Sequence, residues 1–112
     1  MAVDDSNAGI AANVSWENSS KDLDSEDKHP FTMLVVDDAP EMCRFARDYF
    51  RSEYNVITAN NGVQALEKLK EHDRVDLVVS DVTMPLMNGL ELCHSIKTNL
   101  EYSHIPVILL TG

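Results

Sequence analysis

The fold of this chain is decided by the stretch Asp81-Val82-Thr83-Met84-Pro85-Leu86-Met87-Asn88-Gly89. The short apolar run 75–80 precedes it, and the length and β-branched residues of that run are typical of a buried parallel strand. The Pro, Asn and Gly residues after Asp81 predict a loop, and a helical pattern begins at Gly89. This order places the Asp81 carboxylate at the C-terminal end of a strand, where open α/β sheets bind their ligands.

A second acidic site lies upstream in the same kind of context. The apolar run 33–36 ends in Asp37-Asp38, and Pro40 follows at a position suited to the first turn of a helix. If the two strands are parallel neighbours, the carboxylates of Asp37, Asp38 and Asp81 meet at one edge of the sheet. Two carboxylates about 5 Å apart repel by roughly 3 kcal/mol at an effective dielectric near 20. An all-oxygen set of this kind suits Mg²⁺ or another hard cation, and the alternative is that Asp37 or Asp38 caps the following helix.

The remaining pattern alternates between strands and helices. Strands are predicted at 32–37, 54–59, 75–80 and 105–110, and helices at 39–52, 63–72 and 89–99. This alternation predicts a parallel sheet with right-handed crossovers and helices on both faces.

Apolar spacing in the helices predicts which side chains face the core. In the first helix it selects Met42, Phe45, Ala46, Tyr49 and Phe50. The same spacing turns Val63, Leu66 and Leu69 inward in the second helix, and in the third it selects one stripe of Leu90, Cys93, Ile96 and Leu100. Cys43 and Cys93 fall on apolar helical stripes, so we expect two buried, reduced thiols and no zinc site.

Length and charge exclude several classes of function. The chain has 112 residues, enough for one small domain, with 9 basic and 19 acidic residues and a formal net charge of -10. That charge argues against binding of nucleic acid or of an anionic membrane by this segment. The chain holds no run of 18 apolar residues and no secretory signal, so we expect a cytoplasmic location. Residues 1–30 are rich in Ser, Asn and Asp and are predicted to form a polar acidic linker or disordered tail, in which Trp16 is solvated or loosely packed.

Three motifs together resemble a receiver domain of two-component signalling, over residues 31–112. They are Asp37-Asp38, the nine residues that begin at Asp81, and Leu109-Leu110-Thr111-Gly112. The resemblance implies a flavodoxin-like, doubly wound parallel sheet in which the strands present have the order 2-1-3-4.

The resemblance also implies a role for each motif residue. Asp81 would accept a phosphoryl group from a phosphohistidine on a histidine kinase or phosphotransfer domain. Thr111 would contact that group and report its presence by moving, and the small residue Gly112 would let the group approach. The implied ligands of Mg²⁺ are Asp37, Asp38, Asp81 and the backbone carbonyl of Thr83. A carboxylate can act as the nucleophile that forms an aspartyl phosphate, and Mg²⁺ offsets the negative charge of the pocket.

The resemblance further implies a helix, a strand and a second helix beyond Gly112, with a lysine at the end of that strand. Lys68, Lys70 and Lys97 lie on helices elsewhere and do not match this lysine. We therefore expect a receiver domain that lacks its last helix-strand-helix and comes from a longer protein, such as a hybrid sensor histidine kinase. Strand 105–110 would then be an apolar open edge through which two copies can pair.

Two other functions fit parts of the pattern. A phosphate-independent docking module would keep the fold without the switch. An aspartate-based phosphohydrolase would carry its nucleophile on the first strand and a second Asp two residues after that nucleophile, whereas Thr83 stands two residues after Asp81. We expect no enzymatic activity beyond the domain's own phosphorylation.

Overall fold

The computed structural model describes residues 29–111, so most of the segment predicted to be a linker or tail, including Trp16, and also Gly112 lie outside the described residues. Seven elements alternate along the chain: β1 (Thr32–Val36), α1 (Pro40–Phe50), β2 (Asn55–Ala59), α2 (Gly62–Glu71), β3 (Leu77–Asp81), α3 (Gly89–Lys97) and β4 (Val107–Leu110). Every predicted element is present, and no boundary is shifted by more than two residues. Within the described range, no helix is both long enough and apolar enough to cross a membrane.

The four strands form one parallel sheet in the order β2-β1-β3-β4. This confirms the predicted doubly wound architecture and the strand order. Val36 at the end of β1 pairs with Ser80, and Asp81 at the end of β3 pairs with Leu110. The carboxyl ends of these three strands therefore lie at the same edge of the sheet.

The two faces of the sheet carry separate cores. On one face, α2 and α3 cover a core whose members include the fully buried Leu34, Ile57 and Leu92. On the other face, α1 covers a smaller core around Met33 and Val35. Burial of β1 on both faces explains why its sequence is a continuous apolar run and not an alternating one.

The predicted inward stripe of α1 is wrong for three of its five residues. Met42, Phe45 and Tyr49 are 49%, 62% and 68% exposed. The helix contacts the sheet instead through the buried Cys43 and the half-buried Ala46 and Phe50. Small side chains let the helix approach the sheet closely, and the apolar surface of the helix is wider than this line of contact.

A similar offset occurs in the other two helices. The core side of α3 is formed by Leu92 and Ile96, both 0% exposed, while Leu90 is 59% exposed. Cys93 is only half-buried, so the prediction of two buried thiols is correct for one of them. Val63 in α2 is 43% exposed, contrary to its predicted inward position. Leu66, Leu69 and Ile96 do contact the core as predicted, whereas Leu100 is 96% exposed, so only part of each predicted stripe is wrong.

Polar caps fix the starts of α2 and α3. The Asn61 side chain accepts a hydrogen bond from the Gln64 backbone N–H at 2.8 Å. Asn88 and Glu91 form a reciprocal capping box, with bonds of 2.8 and 2.9 Å. Caps of this kind contribute about 1 kcal/mol each. The box sets where α3 begins and therefore where the loop after Asp81 ends.

Candidate functional site

The structure brings three carboxylates together at the carboxyl edge of the sheet. Asp37 and Asp38 follow β1 directly, and Asp81 is the last residue of the neighbouring strand β3. One carboxylate oxygen from each residue lies within 4.8 Å of the other two. Within residues 29–111, none of the three forms an ion pair with a Lys, Arg or His side chain. Their mutual repulsion is therefore not offset by these side chains.

The spacing of the three oxygens is compatible with a divalent cation. Octahedral coordination at about 2.1 Å puts neighbouring oxygens about 3.0 Å apart and opposite ones about 4.2 Å apart. A spread of 4.8 Å exceeds the larger value by about half an ångström, which a small side-chain rotation removes. Asp38 is exposed and has room for that rotation. The donor set is carboxylate oxygen alone, which suits Mg²⁺ better than a softer metal.

Asp37 has a second structural task. Its Oδ1 accepts a hydrogen bond from the Ala39 backbone N–H at 2.9 Å, at the start of α1, where Ala39 has no side-chain cap of its own. This bond closes a turn just before the helix and is not a helix cap, because the N-cap Ala39 has no side-chain cap hydrogen bond, so the helix-capping alternative is not confirmed for Asp37. The other oxygen of Asp37 is free of this bond. The Asp37 backbone N–H donates to the Ala59 carbonyl at 3.0 Å, which fixes its position beside β2.

The thiol of Cys43 helps to hold the backbone of Asp37 in place, a role that the sequence did not indicate. Its thiol donates to the Asp37 carbonyl at 3.4 Å and lies 3.8 Å from the Ala59 carbonyl. Burial raises the pKa of Cys43, with the Asp37 carboxylate adding to the rise. The side chain therefore stays a neutral thiol that can donate.

The loop after Asp81 is held against the backbone at both ends. The Val82 N–H donates to Leu110 O at 3.1 Å, and the Gly89 N–H donates to Val82 O at 2.8 Å. A Cβ on Gly89 would lie 2.9 Å from the Val82 Cα and closer still to the Asp81 carbonyl oxygen. Only glycine lets the start of α3 approach this backbone, which explains the Gly at the end of the decisive stretch.

A strained turn lies in the middle of the same loop. The Met87 N–H donates to the Pro85 carbonyl at 2.7 Å, and the residue between them, Leu86, has φ 68°. This γ-turn with positive φ is rare and costly for a residue with a Cβ. The side chain of Leu86 is 82% exposed, so packing does not explain it.

The two threonines selected from the sequence lie at the same edge. Thr83 is an exposed residue two positions after Asp81. Thr111 is also exposed and directly follows Leu110, the register partner of Asp81.

Lys97 points to the opposite end of the domain, since α3 runs back along the strands. Its Nζ donates to the Ile105 carbonyl at 2.5 Å and to the Ser103 carbonyl at 3.3 Å. This agrees with its exclusion from the site on sequence grounds.

Comparisons with known proteins define the class. The family model of the response regulator receiver domain matches residues 33–112. The chain is 36% identical over 84 residues to the polar-differentiation response regulator DivK of Brucella anthropi, covering 74% of this chain and 68% of that protein. The chain belongs to the response regulator receiver domain family and is thus a receiver domain of two-component signalling.

A solved structure agrees with this assignment. The response regulator TrrA of Thermotoga maritima, in complex with Mg²⁺-BeF, matches with a TM-score of 0.65 and 34% identity, covering 72% of this chain and 69% of that one.

Some relatives carry the domain within a much longer protein. The chain is 43% identical over 96 residues to histidine kinase P4 of Formosa agariphila, which covers 86% of this chain but only 7% of that protein. Receiver domains are generally not catalytic enzymes, although the name of this relative shows that some belong to proteins that contain one.

Proposed function

We propose that this domain accepts a phosphoryl group on Asp81 from the phosphohistidine of a histidine kinase or phosphotransfer domain, in a Mg²⁺-dependent reaction, and changes conformation to regulate an output. The observation that carries the proposal is the group of three carboxylates within 4.8 Å that no side-chain cation in residues 29–111 offsets. Such a site gains most from a divalent cation, and a phosphoryl group can then enter an otherwise repulsive pocket.

Asp81 is the best nucleophile of the three. Asp37 is engaged in a hydrogen bond to the start of α1, and Asp38 is exposed. Asp81 is half-buried, and its backbone is fixed between β4 and the start of α3. In the reaction a carboxylate oxygen of Asp81 forms the bond to phosphorus, the bond from the imidazole nitrogen to phosphorus breaks, and that nitrogen takes up a proton.

The residues proposed to hold Mg²⁺ are Asp37, Asp38, Asp81 and the backbone carbonyl of Thr83. When bound, the ion neutralises charge on the carboxylates and on the phosphoryl oxygens. The solved relative TrrA in complex with Mg²⁺-BeF supports this choice of ion. Asp38 supplies an exposed carboxylate that can rotate toward the ion, while Asp37 is oriented by its bond to Ala39.

Thr111 is proposed to detect the phosphoryl group. It directly follows the register partner of Asp81 and is exposed at the same edge, where its hydroxyl would move to donate to a phosphoryl oxygen. Such a movement would pull on the end of β4 and change the surface that an output partner contacts. Gly112 would leave space for the incoming group.

The surroundings of the domain are part of the same proposal. Residues 1–30 would be a polar linker, and the parent protein a hybrid sensor kinase in the cytoplasm, as the similarity to histidine kinase P4 suggests.

Of the described strands, β2 and β4 are at the sheet edges, and on β4 the side chains of Ile108 and Leu110 are 47% and 54% exposed. Two copies of this chain would pair through the β4 edge. Analytical sedimentation at increasing protein concentration tests this pairing. A chain that stays monomeric at all concentrations would contradict the pairing.

The phosphoacceptor proposal is tested by intact-mass measurement after incubation with Mg²⁺ and a small acyl phosphate. We expect one phosphoryl adduct, lost on chelation of Mg²⁺ and lost in Asp81→Asn. Asp73→Asn, which neutralises an exposed carboxylate outside the cluster, is the matched control and keeps the adduct. Absence of an adduct together with absence of Mg²⁺ binding would favour a phosphate-independent docking module, and rapid turnover of phosphoesters would favour a phosphohydrolase.

A further inference from the structure

Helix α1 carries a concentration of positive charge on one side. Arg44, Arg47 and Arg51, here called the basic flank, are spaced at i, i+3 and i+7 and therefore lie on one side of the helix. Arg44 and Arg51 are exposed. The guanidinium of Arg47 donates to the Thr58 hydroxyl at 3.2 Å, which places the flank on the β2 side of the helix.

Two arginines of the basic flank, Arg44 and Arg51, are not neutralised strongly by charges on their own helix. Arg51 lies 4.0 Å from Asp48, and the two side chains are 64% and 74% exposed. An exposed pair of this kind contributes little and leaves both groups free to exchange partners. No ion pair from Arg44 is found within residues 29–111.

The chain enters the described domain beside this flank. The His29 backbone N–H donates to Asn55 Oδ1 at 3.1 Å, and Asn55 Nδ2 donates to the His29 carbonyl at 2.8 Å. A ring nitrogen of His29 lies 2.9 Å from the Arg51 carbonyl. These contacts anchor His29 at the C-terminal end of α1, next to Arg51.

Those residues are strongly acidic. The six residues Asp22-Leu23-Asp24-Ser25-Glu26-Asp27, here called the acidic segment, contain four carboxylates. Six extended residues span about 20 Å, whereas the seven residues from Arg51 back to Arg44 rise only about 10 Å along the helix. Lys28 alone separates the acidic segment from the anchored His29, so the segment is long enough to reach every arginine of the flank.

We propose that the acidic segment binds the basic flank of α1 within the same chain. Opposite charges held by a tether of this length have a high effective concentration, about millimolar, that a dilute acidic partner does not match. While the segment is bound, the β2 side of α1 is closed to acidic surfaces, and the exposed apolar side formed by Met42, Phe45 and Tyr49 stays accessible. High salt is expected to release the segment, because the contact is electrostatic and exposed.

Zero-length cross-linking tests the contact directly. Arg44→Lys places an amine on the basic flank, and Phe45→Lys places one at the neighbouring, 62% exposed position on the other side of the helix. After carbodiimide treatment of the full chain, peptides that join residue 44 or 45 to the acidic segment are quantified by mass spectrometry. We expect about tenfold more product from Arg44→Lys at low salt, and equal yields at high salt. Equal yields from the two variants at low salt would show a merely tethered, solvated segment and would overturn the proposal.

A second measurement tests the same contact without introducing lysine residues. The triple variant Asp22→Asn, Asp24→Asn and Asp27→Asn removes three charges from the acidic segment, and Asp4→Asn, Asp5→Asn and Glu17→Gln removes three charges farther from His29. NMR signals of the Arg44 and Arg51 side chains should shift only in the first variant. Equal shifts in both variants, or none in the first, would contradict the proposal.

Discussion

Replacing Asp38 by Asn is expected to stabilise the metal-free domain. At the 4.8 Å limit of the cluster, one pair of carboxylates repels by about 3.5 kcal/mol at a dielectric of 20 and by about 0.9 kcal/mol in water. Because Asp38 is exposed, the value in water applies, and repulsion from its two partners together amounts to about 2 kcal/mol. Asn keeps the size of the side chain and removes the charge. The expected gain of about 1–2 kcal/mol corresponds to a Tm rise of roughly 5–10 °C for a domain of this size.

The same variant should lose the response to Mg²⁺. Thermal unfolding is measured with chelator and with saturating Mg²⁺ for the natural chain, Asp38→Asn and the control Asp73→Asn. If Mg²⁺ binds the folded cluster as proposed, it should raise the Tm of the natural chain and of the control by mass action, and it should have little effect on Asp38→Asn. An unchanged metal-free Tm in Asp38→Asn, together with an intact response to Mg²⁺, would refute the reasoning about repulsion and the metal site alike.

Three further substitutions test the loop and the thiol. Gly89→Ala should lower the free energy of unfolding by about 3 kcal/mol or more, because its Cβ would overlap the backbone of Asp81 and Val82; a denaturant midpoint equal to that of the natural chain would contradict this. Leu86→Gly should raise the stability by about 1 kcal/mol, since glycine adopts φ 68° without strain, and no gain in urea unfolding would argue against a strained turn. For Cys43, burial raises the folded pKa above its ordinary value of 9.0, so the unfolded chain ionises first; stability is fully present below about pH 9 and falls as the pH rises through the folded pKa. Cys43→Ala should flatten that fall in unfolding curves measured across this range, whereas a fall that persists unchanged would show another group to be responsible.

The fold was predictable because its strands are short, apolar and separated by clear turn residues. Alternation of strand and helix defines a parallel sheet, and the polar ends of the strands define one edge. Strands β1 and β3 are paired in the structure, and this pairing brings together Asp37, Asp38 and Asp81.

Helix orientation was not predictable to the same degree. Apolar periodicity does not distinguish Met42, Phe45 and Tyr49 from Ala46 and Phe50. The sheet contacts Cys43, Ala46 and Phe50 and leaves the other three exposed. The support that Cys43 gives to the Asp37 carbonyl depends on this orientation of α1, so no motif could reveal it. The γ-turn at Leu86 could not be predicted from the sequence either, because a leucine does not indicate a positive φ.

The most direct test of the central claim is to identify which carboxylate receives the phosphoryl group. After incubation with Mg²⁺ and a small acyl phosphate, borohydride converts an aspartyl phosphate to homoserine, and peptide mapping locates the converted residue. The prediction is conversion at Asp81 alone, dependent on Mg²⁺ and weakened in Asp38→Asn. Conversion at Asp37 or Asp38, or an equal yield without Mg²⁺, would contradict it.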